Sequence, residues 1–166
     1  MNSIRRLILR QWKSEDQPFF VSLNTCPVIR RHMDGAMEHN DCVRFFQEIV
    51  LKNPEAFAVC LNISPQGTDV SSCEETVIGH CFINPEAESQ FPEVGYMLSR
   101  EHWGKGLATE LLKSLVNYAE KKYQGLSATC DLENESSLRV LEKCGFVVVK
   151  IVREEEPHYA ELIRLF

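Results

Sequence analysis

The residues best placed to do chemistry lie between Val94 and Glu110, in VGYMLSREHWGKGLATE. An apolar strand pattern runs into a short turn carrying Gly104 and Gly106, and a helical pattern begins there. Such a junction aims backbone N–H groups and the positive end of a helix at one spot, which makes an anion site suited to a pyrophosphate. The glycines permit backbone angles closed to other residues and a close approach of the chain to a ligand. Arg100, His102 and Lys105 add positive charge beside them. The alternative is a tight strand–helix connection with no ligand. Two familiar phosphate loops are excluded: G-x-x-x-x-G-K-[ST] is absent, and no third glycine completes G-x-G-x-x-G.

The elements that must position this turn follow from hydrophobic period. Arg6 to Gln11 reads as a strand, within a first apolar stretch from Ile4 to Trp12. Ser14 is placed to cap a short helix with Glu15 and Asp16 in its first turn and Phe19, Phe20 and Leu23 inside. A second helix is predicted over Asp41–Leu51, burying Val43, Phe46, Ile49 and Val50, and Asn53-Pro54 ends it. Ala56–Asn62 is a continuous apolar run, as in a strand covered on both faces. Ser64–Glu75 is a polar loop, Thr76–Ile83 a strand, Asn84–Phe91 a second loop and Val94–Leu98 a strand. These three strands make an antiparallel meander. Gly106–Lys122 is the clearest helix, with Leu107, Leu111, Leu115 and Tyr118 in one stripe. Leu126–Asp131 is a strand, and Asn134 caps a helix burying Leu138, Leu141 and Cys144, closed by Gly145. Phe146–Arg153 and Tyr159–Phe166 are final strands around a charged turn, Glu154–His158. The order β-α-α-β-β-β-α-β-α-β-β gives an α+β fold in one domain, 1–166.

Composition narrows the function. The chain has 166 residues, no apolar run near the ~20 that span a bilayer, and no export signal in its first residues, so a cytoplasmic protein without a membrane partner is expected. Its seven cysteines are odd in number, widely spaced and free of C-x-x-C, against a disulfide framework or a metal site. A net charge of −6 disfavours nucleic acid, which needs a basic footprint. It suits a cationic substrate, or merely keeps the protein soluble.

WGKGLATELL resembles the acetyl-CoA pyrophosphate loop, Q/R-x-x-G-x-G/A, of the GNAT N-acetyltransferases. Gly106 and Ala108 match its last two positions, and Trp103 departs from the usual Gln or Arg. Trp-Gly-x-Gly is typical of the branch containing the ribosomal-protein alanine N-acetyltransferases. The segment NESSLRVLEKCGF, from Asn134 to Phe146, resembles that branch's N-x-x-S…L…K-x-G-F. The resemblance implies a mixed, mostly antiparallel sheet of about seven strands flanked by about four helices. It implies acetyl-CoA as co-substrate, no metal, and direct attack by an amine in a ternary complex. Trp103, Gly104, Lys105, Gly106, Leu107, Ala108 and Thr109 would hold the pyrophosphate. A backbone N–H near Met97 or Leu98 would stabilise the thioester carbonyl where the Val94–Leu98 and Leu126–Asp131 strands splay.

By the same resemblance Asn134 contacts pantetheine, Ser137 gives a proton or hydrogen bond to the leaving thiolate, and Glu93 is the base. Each has a plainer alternative: Asn134 as a helix cap, Ser137 as a first-turn residue, Glu93 as a loop carboxylate. An α-amine near pKa 8 needs less help from a base than a lysine near 10.4. Cys130 and His80 read as buried strand residues rather than catalysts, and His158 is open between facing the acceptor and lying exposed. The acceptor is a peptide N-terminus or a small amine, bound near Pro27–Met33, Asn84–Phe91 and Glu154–His158. A non-catalytic acyl-CoA-binding module is the other reading, and the protein is expected as a monomer or homodimer.

Overall fold

A computed structural model describes residues 6–62, 75–86, 89–153 and 158–166. Ile4, Arg5, Cys73, most of the 64–75 loop, residues 87–88 and most of the 154–158 turn therefore lie outside the described residues. Among the described residues seven strands form one sheet: β1 (Leu7–Gln11), β2 (Ala56–Asn62), β3 (Glu75–Asn84), β4 (Glu93–Leu98), β5 (Gly125–Asp131), β6 (Val147–Val152) and β7 (Tyr159–Leu165). Their order is β1-β2-β3-β4-β5-β7-β6, antiparallel throughout except where β4 meets β5. The described residues also form four α-helices, α1 (Gln17–Asn24), α2 (His39–Glu48), α3 (Leu107–Ala119) and α4 (Glu135–Lys143).

Alternate strand residues point opposite ways, so the strands feed two cores, one on each face of the sheet. Val94 and Leu98 of β4, and Leu126, Ala128 and Cys130 of β5, join Leu111, Leu115 and Val116 of α3 and Leu141 of α4 in one core. Ala56, Ala58 and Cys60 of β2 face the other way and pack with Phe20 of α1 and Phe46 of α2 in a second. The continuous apolarity of β2 is thus explained by burial on both faces. Five of the six described cysteines are buried, and all six are free thiols. No helix among the described residues is long and apolar enough to cross a membrane.

Three helices differ from their predicted boundaries. Ser14 opens a 3-10 turn instead of capping a helix. Asp16 stands at the N-cap position of α1, but its carboxylate turns back to accept the Lys13 N–H at 2.9 Å while Arg10 grips both its oxygens at 2.7 and 3.0 Å. The second helix begins earlier, at His39, and after Glu48 tightens into a 3-10 turn over Val50–Lys52. That tightening turns Ile49 outward, 52% exposed, while Val50 stays buried. On α3, Gly106 is the cap and not the first helical residue, since its φ of +74° is left-handed.

His80 is a core residue, as its place inside a strand suggested. The Trp12 indole N–H donates to its Nδ1 at 3.1 Å, and the rings of Trp12 and Phe20 pack against it. Burial lowers its pKa from 6.5 to about 4. Between those values the unfolded chain binds the extra proton, so stability is full above pH 6.5 and is lost as pH falls towards 4, by about 3 kcal/mol. His80→Gln is expected to flatten that slope. Urea midpoints of both proteins from pH 7.5 to 4 measure it, and parallel curves would refute the assignment.

Candidate functional site

The site begins with an interruption in the sheet. β4 and β5 run parallel, and their ladder holds a single registered pair, Glu93 with Ser127. The Ser127 N–H donates to the Pro92 carbonyl at 2.9 Å, and beyond that point the strands separate. Ser99 N–H donates to Ile78 of β3. By ladder alternation Met97 also bonds towards β3, while Tyr96 and Leu98 direct their backbone groups into the gap. Of the two residues expected to offer an N–H there, the ladder thus favours Leu98, with Tyr96 as a second donor; Met97 contributes its side chain.

A cleft of about 450 Å³ fills the gap. Its lining includes Met97, Leu98, Trp103, Gly104, Gly106, Leu107, Ala108, Thr109, Asn134 and Ser137, which brings together all the predicted binding residues but one. Lys105 is the exception: its side chain is outside, and its carbonyl accepts from Arg6 Nη1 at 3.2 Å. Glu93 also lies outside the lining, at the closed end of the gap on the sheet face opposite Tyr96.

The glycine turn is held in shape by its neighbours. Gly104 and Gly106 have φ of +72° and +74°. No side chain caps α3, so the N–H groups of its first turn face the cleft's end without a side-chain partner. A Cβ on Gly104 would meet nothing within 4 Å, leaving open space where a ligand can approach the backbone. Trp103, standing where a polar side chain is usual, donates its indole N–H to the Leu98 carbonyl at 2.8 Å. That bond ties the turn to the end of β4, and the residue's role is anchorage as much as lining. Arg6 fastens the far side through Glu110, with its backbone N–H and its Nε each 2.9 Å from a carboxylate oxygen.

At the inner end, Tyr96 Oη and Ser137 Oγ are 2.9 Å apart. Burial pushes the Tyr96 phenol up to about 12, so it remains a protonated donor. Asn134 does cap α4, accepting the Ser137 N–H at 3.2 Å. The Ser137 hydroxyl is left free of the helix and turned to Tyr96. Cys130 stays a thiol because burial raises its pKa. Sequence reasoning missed Tyr96, whose alternation with Val94 and Leu98 marks it as facing α4. It also missed Arg139 and Lys143, which line the cleft one helical turn apart on α4. Val28, Ile29, Arg31, His32 and Met33, in the connection expected to be on the acceptor side, complete the wall. The whole can hold an extended ligand with an anionic end at the turn and a reacting centre near Leu98 and Tyr96.

Comparisons agree with this geometry. The acetyltransferase (GNAT) domain matches residues 6–147. An uncharacterized N-acetyltransferase p20 of Bacillus licheniformis is 27% identical over 97% of this chain and 90% of its own. Among solved structures, a GNAT-family acetyltransferase from Bacillus anthracis superposes with a TM-score of 0.80 at 21% identity, covering 98% of this chain and 96% of that one. The spermidine N-acetyltransferase of Vibrio cholerae, solved with CoA and spermine, gives 0.76 at 20% identity, with 96% and 95% covered.

The left-handed glycines yield a stability prediction. With nothing closer to a Gly106 Cβ than Arg6 Nη2 at 3.9 Å, Gly106→Ala meets no clash and suffers from its backbone angle alone. The expected cost is about 1–2 kcal/mol, read as a shift in the urea midpoint. An unchanged midpoint would remove the positive φ from the argument.

Proposed function

The chain belongs to the acetyltransferase (GNAT) family, and from that premise we propose that it carries acetyl from acetyl-CoA to a primary amine by direct attack in a ternary complex. The observation that carries the reading is the placement of an uncapped helix end and two left-handed glycines at one end of a cleft whose other end opens on the split between β4 and β5. The N–H groups of α3's first turn bind the pyrophosphate. Arg139 and Lys143 add positive charge along its path. The Leu98 and Tyr96 N–H groups serve the pantetheine and the carbonyl oxygen as it gains charge. Asn134 caps α4 and so aims Ser137, and Tyr96 with Ser137 supplies the proton for the departing thiolate.

The Trp103-Gly104 pair and the N-x-x-S block ending at Ser137 support the ribosomal-protein alanine N-acetyltransferase-like branch, and with it a protein N-terminal α-amine as acceptor. A second reading, a small polycationic amine, is favoured by the carboxylates Asp131 and Glu161 on the acceptor face of the sheet. A peptide with a free N-terminus and spermidine separate the two readings in one assay, by which of them is acetylated.

Two measurements test the site. Calorimetric titration is expected to give micromolar acetyl-CoA binding with no response to ATP or NAD, and Gly106→Glu is expected to abolish it by setting bulk and negative charge where the pyrophosphate lies. Normal affinity in that variant, with its fold intact by circular dichroism, would remove the phosphate end from the turn. Tyr96→Phe and Ser137→Ala are each expected to lower kcat about tenfold without changing acetyl-CoA affinity. The loss is modest because a thiol of pKa near 8.5 leaves readily and can take its proton late. Unchanged kcat in both would assign the proton elsewhere.

A further inference from the structure

The two faces of the sheet differ at the split. Tyr96, Leu98, Ala128 and Cys130 point to the face covered by α3 and α4. Met97, Thr129 and Asp131, their alternating neighbours, point to the other. Thr129 is exposed in the middle of a central strand, so that face is uncovered beside the gap. The connection between α1 and α2 reaches it through His32, whose Nδ1 lies 2.7 Å from Asp131 Oδ2. Both side chains are largely withdrawn from solvent, at 15% and 12% exposure.

The contacts fix the proton on the ring. Arg31 Nε donates to His32 Nε2 at 2.8 Å. A guanidinium only donates, so Nε2 is the acceptor and Nδ1 carries the hydrogen shared with Asp131. Burial pushes the Asp131 carboxyl up, but the Glu133 N–H and His32 outweigh it and hold it below the ordinary range. The ionisable groups about the ring are Asp131 on β5, Arg31 on the same connection, and Tyr159, the cross-strand neighbour of Asp131. Arg31 is an exposed side chain, and the Nε2 it touches is the ring nitrogen whose lone pair can accept a proton. His32, Met97 and Leu98 line the same cleft.

Resting on the acetyl-transfer reading, we propose that His32 is the base that deprotonates the acceptor amine, with Asp131 as the residue that positions its ring. One proton passes from the ammonium to Nε2. The freed pair attacks the thioester carbon, the C–N bond forms, and the C–S bond breaks with its electrons on sulfur. The nitrogen loses its second proton as the amide forms, and the sulfur gains one from Tyr96, which recovers a proton from the nitrogen through water. His32 then returns its proton to solvent, so ammonium and thioester become amide, thiol and one released proton.

The test compares His32→Ala, His32→Gln, Asp131→Asn and Glu93→Gln, with spermidine and a free-N-terminal peptide as acceptors and acetyl-CoA affinity as the check on folding. His32→Ala is expected to bind acetyl-CoA normally and to lose about 100-fold in kcat/KM at pH 7. The loss shrinks as pH rises and the free amine supplies itself, and added imidazole restores part of the rate. Asp131→Asn is expected to lose about tenfold, with the acid limb of the pH profile retained. A wild-type rate and acid limb in both His32 variants overturns the proposal, as does an acid limb removed by Glu93→Gln alone. Acetyl-CoA binding with no acetylation of either amine by the wild type would instead remove the transfer reading, and this proposal with it.

Discussion

Everything in the site depends on a ladder that stops. Parallel neighbours in a sheet ordinarily bond along their whole shared length, and a backbone group buried without a partner is costly. Here β4 and β5 join at Glu93 and Ser127 and then part. The separation leaves strand edges inside the molecule with hydrogen-bonding capacity that the sheet does not use. An extended ligand with amides of its own can complete those edges as an added strand would. The cleft is thus an interrupted sheet, and its polarity follows from the direction of β4, whose end delivers the chain to the glycine turn.

A gap between strands would close if nothing spanned or stiffened it. Each wall is fastened by a different contact. The Trp103 indole locks the turn to the Leu98 carbonyl, and Arg6 fixes α3 from behind through Glu110. Tyr96 and Ser137 connect β4 to α4 across the α3–α4 face, while His32 and Asp131 connect the α1–α2 connection to β5 on the other. These bonds draw on opposite sides of the split, so neither face can shift without disturbing a wall of the cleft. The preorganisation resides in side chains fixed by their own partners, which is what a site needs to hold reacting groups in place.

Much of this was legible in the sequence because it is local. The glycine turn, the α3 stripe, the Asn134 cap and the doubly buried β2 each express a rule that acts within about ten residues. The first boundary moved for a reason that hydrophobic period does not show: the Asp16 carboxylate is held by Arg10, six residues back on β1. The same limit governs the site. Gly104, Gly106 and Ser137 could be named from motif and spacing, but Tyr96 acquires its role only where α4 packs, and His32 meets Asp131 across 99 residues of chain. Glu93 shows the converse, a residue conspicuous beside the EVGY strand that the fold sets at the closed end of the gap.

The charge distribution carries a last consequence of the architecture. The chain bears −6 overall, yet Arg31, Arg139 and Lys143 all border the cleft. A cationic rim on an anionic protein focuses an anionic ligand towards the cleft while the remaining surface repels it. The opposite sheet face carries Asp131 and Glu161 near the gap, paired with His32 and Lys150. Charged side chains of both signs therefore reach the gap from the two faces of the sheet. They converge at the split between β4 and β5, so the backbone interruption that opens the cleft also sets where those charges face one another.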